Sequence, residues 1–391
     1  MVQFDNARRL ADSLRPEEPV LLRRPHAVRR AASFFLDQFP GSIFYAVKAN
    51  PDPWLIQQLW EAGVRCFDAA SLAEVRHVRA ALPNAAIAFM HPIKSERAIA
   101  EAYFEHGVRI FAVDSLRELT KLHTATGQAD DLTICIRLQV ASDLAKISLA
   151  SKFGAREADE VALLQAARRL AKRLGVAFHV GSQAMSPAAF VGAMDRSARA
   201  VRRSGVFIDI LDVGGGFPAH YPGMEPPALE AFFAEISDRW AEFPSAANAE
   251  LWCEPGRALS AEAESLLVRV EDRRGDTLYI NDGGFGALYD AANLDWRFPC
   301  ANRSRDGAPL VEFDLFGPTC DDADAMRGPF LLPEDTQPGD YIEFGTVGAY
   351  GRSMVTQFNG YGTYQEADLT DDPFQSVYTG ARVAFAEEAQ S

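Results

Sequence analysis

Apolar runs alternate with helical patterns along the first two thirds of the chain. Ser42–Val47, Val64–Phe67, Ala86–Met90, Val108–Val113, Leu132–Val140, Val176–Val180, Phe207–Val213 and Ala249–Cys253 read as strands. Helix signals stand between them. Pro53 opens and Gly63 closes the first intervening helix. Ser71 with Glu74, and Ser115 with Glu118, have capping-box spacing, which accounts for Glu74 in full. A helix runs from Ser95 to Gly107, a long one reaches Gly175, and Pro187 starts another. Eight β-α units in unbroken alternation predict a closed (β/α)8 TIM barrel, since short right-handed crossovers would bring its ends together. A doubly wound open sheet is the alternative, but it seldom keeps eight such units.

From about Ser260 the period changes. Ser265–Val270, Thr277–Ile280, Val311–Leu315 and Tyr341–Phe344 are strand-like and joined by Gly, Pro and Asp turns. The chain is therefore expected to divide into a barrel over 23–258 and a mainly β domain formed by 1–22 and 259–391. A short helix (Asn6 to Leu14) and the apolar-basic run from Val20 pack with that second domain.

The 39 basic and 54 acidic side chains leave a net charge of −15, which disfavours a nucleic-acid or anionic-membrane partner. No leader pattern and no apolar stretch of spanning length is seen, so a soluble, cytoplasmic protein is expected. The cysteines Cys66, Cys135, Cys253, Cys300 and Cys320 are scattered without a CxxC pair, which argues against a disulfide framework or a structural zinc site.

The carboxyl ends of barrel strands face one mouth, and here they carry Lys48, Asp68, Arg137, His179, the run Gly214-Gly215-Gly216 and Glu254. Any one of these alone is more often structural: a lysine that snorkels, a solvated glutamate, a tight glycine turn. Together they suit an aromatic, phosphorylated aldehyde. Three glycines after a strand let backbone N–H groups converge on a phosphate, and Arg257 supplies a guanidinium for it. Glu254 can accept from a pyridinium nitrogen, and His179 can stack on the ring. Lys48 would bond the aldehyde, its pKa lowered among cations in a dry pocket. Gly317-Pro318-Thr319-Cys320-Asp321 sets a thiol beside a carboxylate, a proton donor with an acid for an ammonium.

With these residues in hand, the chain resembles the fold-type III pyridoxal-phosphate decarboxylases, the alanine-racemase-like group that includes ornithine, lysine and diaminopimelate decarboxylases. The resemblance runs from about Val20 to Tyr361. It is carried by Phe44–Asn50, Phe67-Asp68-Ala69-Ala70-Ser71 with Glu74, His179-Val180-Gly181-Ser182, Gly214–Gly216, Glu254–Arg257, Gly317–Asp321, Gly348-Ala349-Tyr350 and Phe358-Asn359-Gly360. It implies pyridoxal 5'-phosphate as cofactor and Lys48 as the Schiff-base lysine. It further implies His179 and Ser182 as cofactor contacts, Glu254 as partner of the ring nitrogen, and Gly214–Gly216, Arg257 and Tyr350 around the phosphate. Cys320 and Asp321 match a pair donated across a homodimer interface, so shared active sites are implied. The implied reaction is decarboxylation of L-ornithine or L-lysine to putrescine or cadaverine in polyamine biosynthesis.

The departure lies in Asn281-Asp282-Gly283-Gly284-Phe285-Gly286-Ala287-Leu288-Tyr289-Asp290. In ornithine decarboxylases this loop is longer before its Tyr-Asp, whose Asp binds the substrate's distal amine. Asp290 matches with a gap, and Asp295 is the nearest acid without one. No basic residue precedes Ala287 where the diaminopimelate branch carries an arginine, which favours a cationic substrate tail. Diaminopimelate remains an alternative substrate, and a racemase or an inactive, decarboxylase-like regulator are alternative functions.

Overall fold

The computed structural model describes residues 2–141 and 143–378. Eight parallel strands close into a barrel: β1 (Ser42–Ala46), β2 (Cys66–Ala69), β3 (Ala86–Phe89), β4 (Ile110–Val113), β5 (Thr133–Arg137), β6 (Arg173–Ala177), β7 (Ile210–Asp212) and β8 (Glu250–Cys253). Closure is made where Trp252 and Cys253 of β8 pair with Ser42 and Ile43 of β1. Helices return the chain between strands, and Pro25–Gln38 precedes β1. The expected barrel is therefore the observed one, and an open sheet is excluded.

The capping signals work in part. Ser71 Oγ accepts from Glu74 N at 3.2 Å, and the Glu74 carboxylate reaches back to Ala70 N, which starts the helix Leu72–Ala81. Ser115 Oγ accepts likewise from Glu118 N, but the Glu118 carboxylate is taken by Lys94 and Lys121 instead. The helix expected to reach Gly175 stops at Leu170. Gly175 lies inside β6, where a Cβ would stand 2.7 Å from Cys135 Sγ on β5, so the barrel interior requires glycine there. Phe207, read as strand, is 81% exposed and β7 begins at Ile210.

Inside the barrel Phe44, Met90, Cys135, Ile210 and Trp252 pack together. A larger core fills the space between strands and helices. Each Phe or Leu buried there contributes roughly 1.5–3 kcal/mol. Phe217, next after the three glycines, is fully buried against Phe35, Phe190 and Phe233 with ring centroids 5.5, 4.8 and 5.7 Å apart. That packing anchors the glycine turn at the barrel mouth.

The second sheet is organised around the strand Glu264–Arg274. It pairs with Val20–Arg23, Thr277–Ile280 and Tyr341–Phe344, and the sheet continues through Leu310–Phe316 to Ala325–Pro333. Gln365–Leu369 and Gln3–Phe4 extend its other side. The amino-terminal run Val20–Arg23 thus joins this sheet. Ala325–Pro333 was not foreseen, because Gly328, Pro329 and Pro333 break the strand pattern, which an edge position tolerates. Residues 379–391, assigned with this region, lie outside the described residues.

Candidate active site

Lys48 sits in a 3-10 turn, Val47–Ala49, directly after β1 rather than within the strand. Its Nζ stands 3.2 Å from Asp68 Oδ2 at the end of β2. The turn is tied to the second sheet. Tyr350 N donates to Ala49 O at 2.7 Å, and Asn50 Nδ2 donates to Glu264 Oε2 and Gly348 O. Tyr350 has a left-handed φ of 62°, a conformation that costs a non-glycine residue about 1–3 kcal/mol and that these contacts hold. Burial works to lower the Lys48 pKa, but the carboxylates of Asp68 and Glu254 outweigh it and raise the value above that of a free lysine. The expectation of a depressed lysine pKa is therefore overturned. Acids crowd this amine more closely than cations do.

His179 follows β6, and its Nδ1 accepts from Gly181 N at 3.1 Å. Burial, with the charges of Lys48 and Arg137, pushes its pKa well below the usual histidine value, so the ring is neutral. Glu254 follows β8. Burial and the neighbouring Asp212 drive its carboxyl pKa well up. Asp212, at the end of β7, accepts from Gly214 N at 2.8 Å, hydrogen-bonds Glu254, and is pushed up to about 7 by burial. Asp212 was missed from the sequence, although an acid inside an apolar strand run was a usable signal.

Gly214 and Gly216 have φ of 67° and 105°, and a Cβ on Gly216 would stand 2.4 Å from Gly181 O. Only glycine permits this close turn. Arg257 is 5% exposed. Its guanidinium lies 4.4, 4.7 and 5.5 Å from the ring centroids of Trp296, Tyr350 and Tyr221, and Nη1 donates to Tyr221 Oη at 2.8 Å.

One cavity of about 340 Å³ brings together Lys48, Asp68, Arg137, His179, Ser182, Gly215, Gly216, Glu254, Arg257 and Tyr350. Gly214 supports the turn without lining the cavity. Met90, His91, Leu149, Lys152 and Phe153 are among the other lining residues and were not foreseen; Phe153 packs its ring on His91 at 4.9 Å and under Arg137. Four expected residues are elsewhere. Cys320 and Asp321 line a separate recess with Glu271, Tyr279 and Tyr361. Asp290 is buried against Arg257, and Asp295 is exposed and paired with Arg297 at 3.1 Å.

Among the described residues, Asp68 Oδ1, Glu254 Oε1 and Arg257 Nε are buried without a hydrogen-bond partner, and all three residues line the cavity. Buried polar atoms are rarely left so. An unpaired guanidinium N–H in a cavity lined by a glycine turn calls for an anionic acceptor, and an unpaired carboxyl oxygen in the same cavity calls for a donor. The phosphate and the protonated ring nitrogen of pyridoxal phosphate supply that pair of groups, so the residues present fit the cofactor.

Residues 26–261 match the family model described as the pyridoxal-binding domain of pyridoxal-dependent decarboxylases. Decarboxylase flvG of Aspergillus flavus is 32% identical over 359 residues, covering 86% of this chain and 82% of that protein. The lysine/ornithine decarboxylase of Selenomonas ruminantium is 30% identical over 356 residues, covering 88% and 87%. The crystal structure of the Paramecium bursaria Chlorella virus arginine decarboxylase bound to agmatine matches with a TM-score of 0.83 at 27% identity, over 92% of this chain and 98% of that one.

Proposed function

The chain belongs to the pyridoxal-dependent decarboxylases, a family of carboxy-lyases that use pyridoxal phosphate, and from that premise we propose that it decarboxylates a basic L-amino acid, L-ornithine or L-lysine, to the corresponding diamine. The observation that carries the substrate class is the setting of Cys320. Its recess is lined by Glu271, Asp321, Asp322 and Asp324 and, among the described residues, by no basic side chain. Such a surface attracts an ammonium and repels a second carboxylate. Cys320 is exposed and lines a different recess from Lys48, which supports a homodimer in which one subunit's Cys320 loop completes its partner's cavity.

When bound, the pyridoxal group supplies the electron sink that accepts the pair left on Cα as the carbon–carbon bond to carbon dioxide breaks. Lys48 would hold the aldehyde carbon of the cofactor, with Asp68 fixing the position of its amine. Neutral His179 offers a ring face without competing for the proton. Glu254 would accept a hydrogen bond from the protonated ring nitrogen, with Asp212 beside it. The Gly214–Gly216 turn, Ser182, Arg257 and Tyr350 would hold the phosphate. Cys320 would return a proton to Cα and recover one from solvent.

Ornithine and lysine differ by one methylene, worth only about 1–3 kcal/mol in a pocket, so activity on both is expected. The test is a product screen of the cofactor-loaded protein with ornithine, lysine, arginine and diaminopimelate, following carbon dioxide and the amine. Putrescine or cadaverine should dominate. Turnover of diaminopimelate or arginine alone would remove the assignment.

A further inference from the structure

The short loop before Asp290 changes what that acid does. Gly286 N and Leu288 N both donate to Gly283 O, closing the turn, and the helix Tyr289–Asn293 begins at once. Asp290 therefore stands in the first turn of that helix, directly beneath the phosphate-side arginine. Its Oδ2 accepts from both Nη1 and Nη2 of Arg257 at 3.4 Å, and it is 6% exposed. It does not line the cavity that holds Lys48, whereas Arg257 does. Backbone contacts hold the acid in place as well, since Leu294 N and Trp296 N both donate to Asp290 O, setting Trp296 against the guanidinium.

We propose that Asp290 is a positioning residue for Arg257, aligning its guanidinium for the cofactor phosphate, and not an acid for the distal ammonium of the substrate; this rests on the reading of Arg257 as a phosphate ligand. A guanidinium has five N–H donors in a fixed planar fork. Asp290 takes one from each Nη, and Tyr221 takes the second from Nη1. What is left is the Nε–H and the second Nη2–H, the adjacent pair that grips two phosphate oxygens in parallel. Nε is the donor of Arg257 that is buried without a partner among the described residues. An arginine gripped at its far end by an acid, braced by a phenol and boxed by three rings has little freedom to turn that edge away. The distal ammonium of the substrate is then left to the acids around Cys320 of the partner subunit.

The experiment compares Asp290→Asn and Tyr221→Phe with wild type by titrating cofactor-free protein with pyridoxal phosphate and with pyridoxal, read by absorbance and intrinsic fluorescence. Both variants should weaken pyridoxal phosphate, Asp290→Asn by about tenfold or more, while pyridoxal affinity stays put. Inhibition of the loaded enzyme by a diamine relative to the matching monoamine should be unchanged. Unchanged or tighter pyridoxal phosphate binding would overturn the proposal, as would an equal loss for both ligands. So would a loss of diamine preference with cofactor affinity intact. If Asp290→Asn does not fold, the same ratio in Tyr221→Phe decides. The titrations need no substrate, so they stand apart from the substrate assignment.

Discussion

The side-chain amide of Asn50 donates to Glu264 Oε2 at 2.8 Å, joining the turn that carries Lys48 to the central strand of the second sheet. The same amide donates to Gly348 O at 2.9 Å, two residues before Tyr350, while Glu264 Oε1 is held by Arg352 at 2.9–3.0 Å. Both Asn50 and Glu264 are almost fully buried. Asn50→Ala strips a donor from two buried acceptors, which costs about 1–3 kcal/mol each when left unsatisfied. Denaturant unfolding should show a loss of unfolding free energy of that order. Cofactor should also leave faster, because Tyr350 loses part of its brace.

Gly216→Ala tests the phosphate turn. Its φ of 105° and the 2.4 Å approach of Gly181 O leave no room for a methyl group. The turn must move, at a cost of about 1–3 kcal/mol. Pyridoxal phosphate affinity should fall by about tenfold or more as the converging N–H groups separate. Equilibrium dialysis with intact protein checks this, and unchanged affinity would place the phosphate elsewhere.

Local features were legible in the sequence and long-range ones were not. The β-α alternation, the lysine turn and the three glycines are set by near neighbours, so periodicity and turn chemistry located them. The partners of Arg257 come from Tyr221 and Asp290, distant in sequence, and no spacing rule joins those three residues. Asp212 meets Glu254 only because β7 and β8 lie side by side. The Lys48 pKa was misread for the same reason, since its direction depends on which charges the barrel assembles around it. Ala325–Pro333 escaped notice because its prolines are acceptable only at the sheet edge that folding gives it.

Asp282 gives a pH signature. It is 3% exposed, accepts from Tyr364 Oη and Ala287 N, each at 3.0 Å, and burial raises its pKa from 3.8 to about 7. The native state thus keeps a proton there that the unfolded chain has already lost. Wild-type stability from this group is full below about pH 4, declines as pH rises, and is lost above about 7. Asp282→Asn cannot titrate and lacks that decline. Its stability relative to wild type should therefore improve as pH is raised from 4 to 7, measured by urea unfolding at several pH values. A difference that is flat across the window would mean that Asp282 is ionised in the native protein.

Complementation between subunits tests the shared site. Lys48→Ala removes the amine at one cavity, and Cys320→Ala removes the proton donor, a loss of roughly 10²–10⁴-fold in rate for such a group. In a two-fold dimer built from both variants, one of its two cavities receives an intact Lys48 from one chain and an intact Cys320 from the other. Random pairing makes half of the dimers mixed, each with one working cavity, so mixing equal amounts should restore about a quarter of wild-type activity. Neither variant alone should show it. The recovery must also appear only after the dimers have had time to exchange subunits. If mixing restores nothing while exchange is seen by size or mass, then Cys320 serves the cavity of its own chain, and the loop Gly317–Asp321 would have to cross to Lys48 within one subunit.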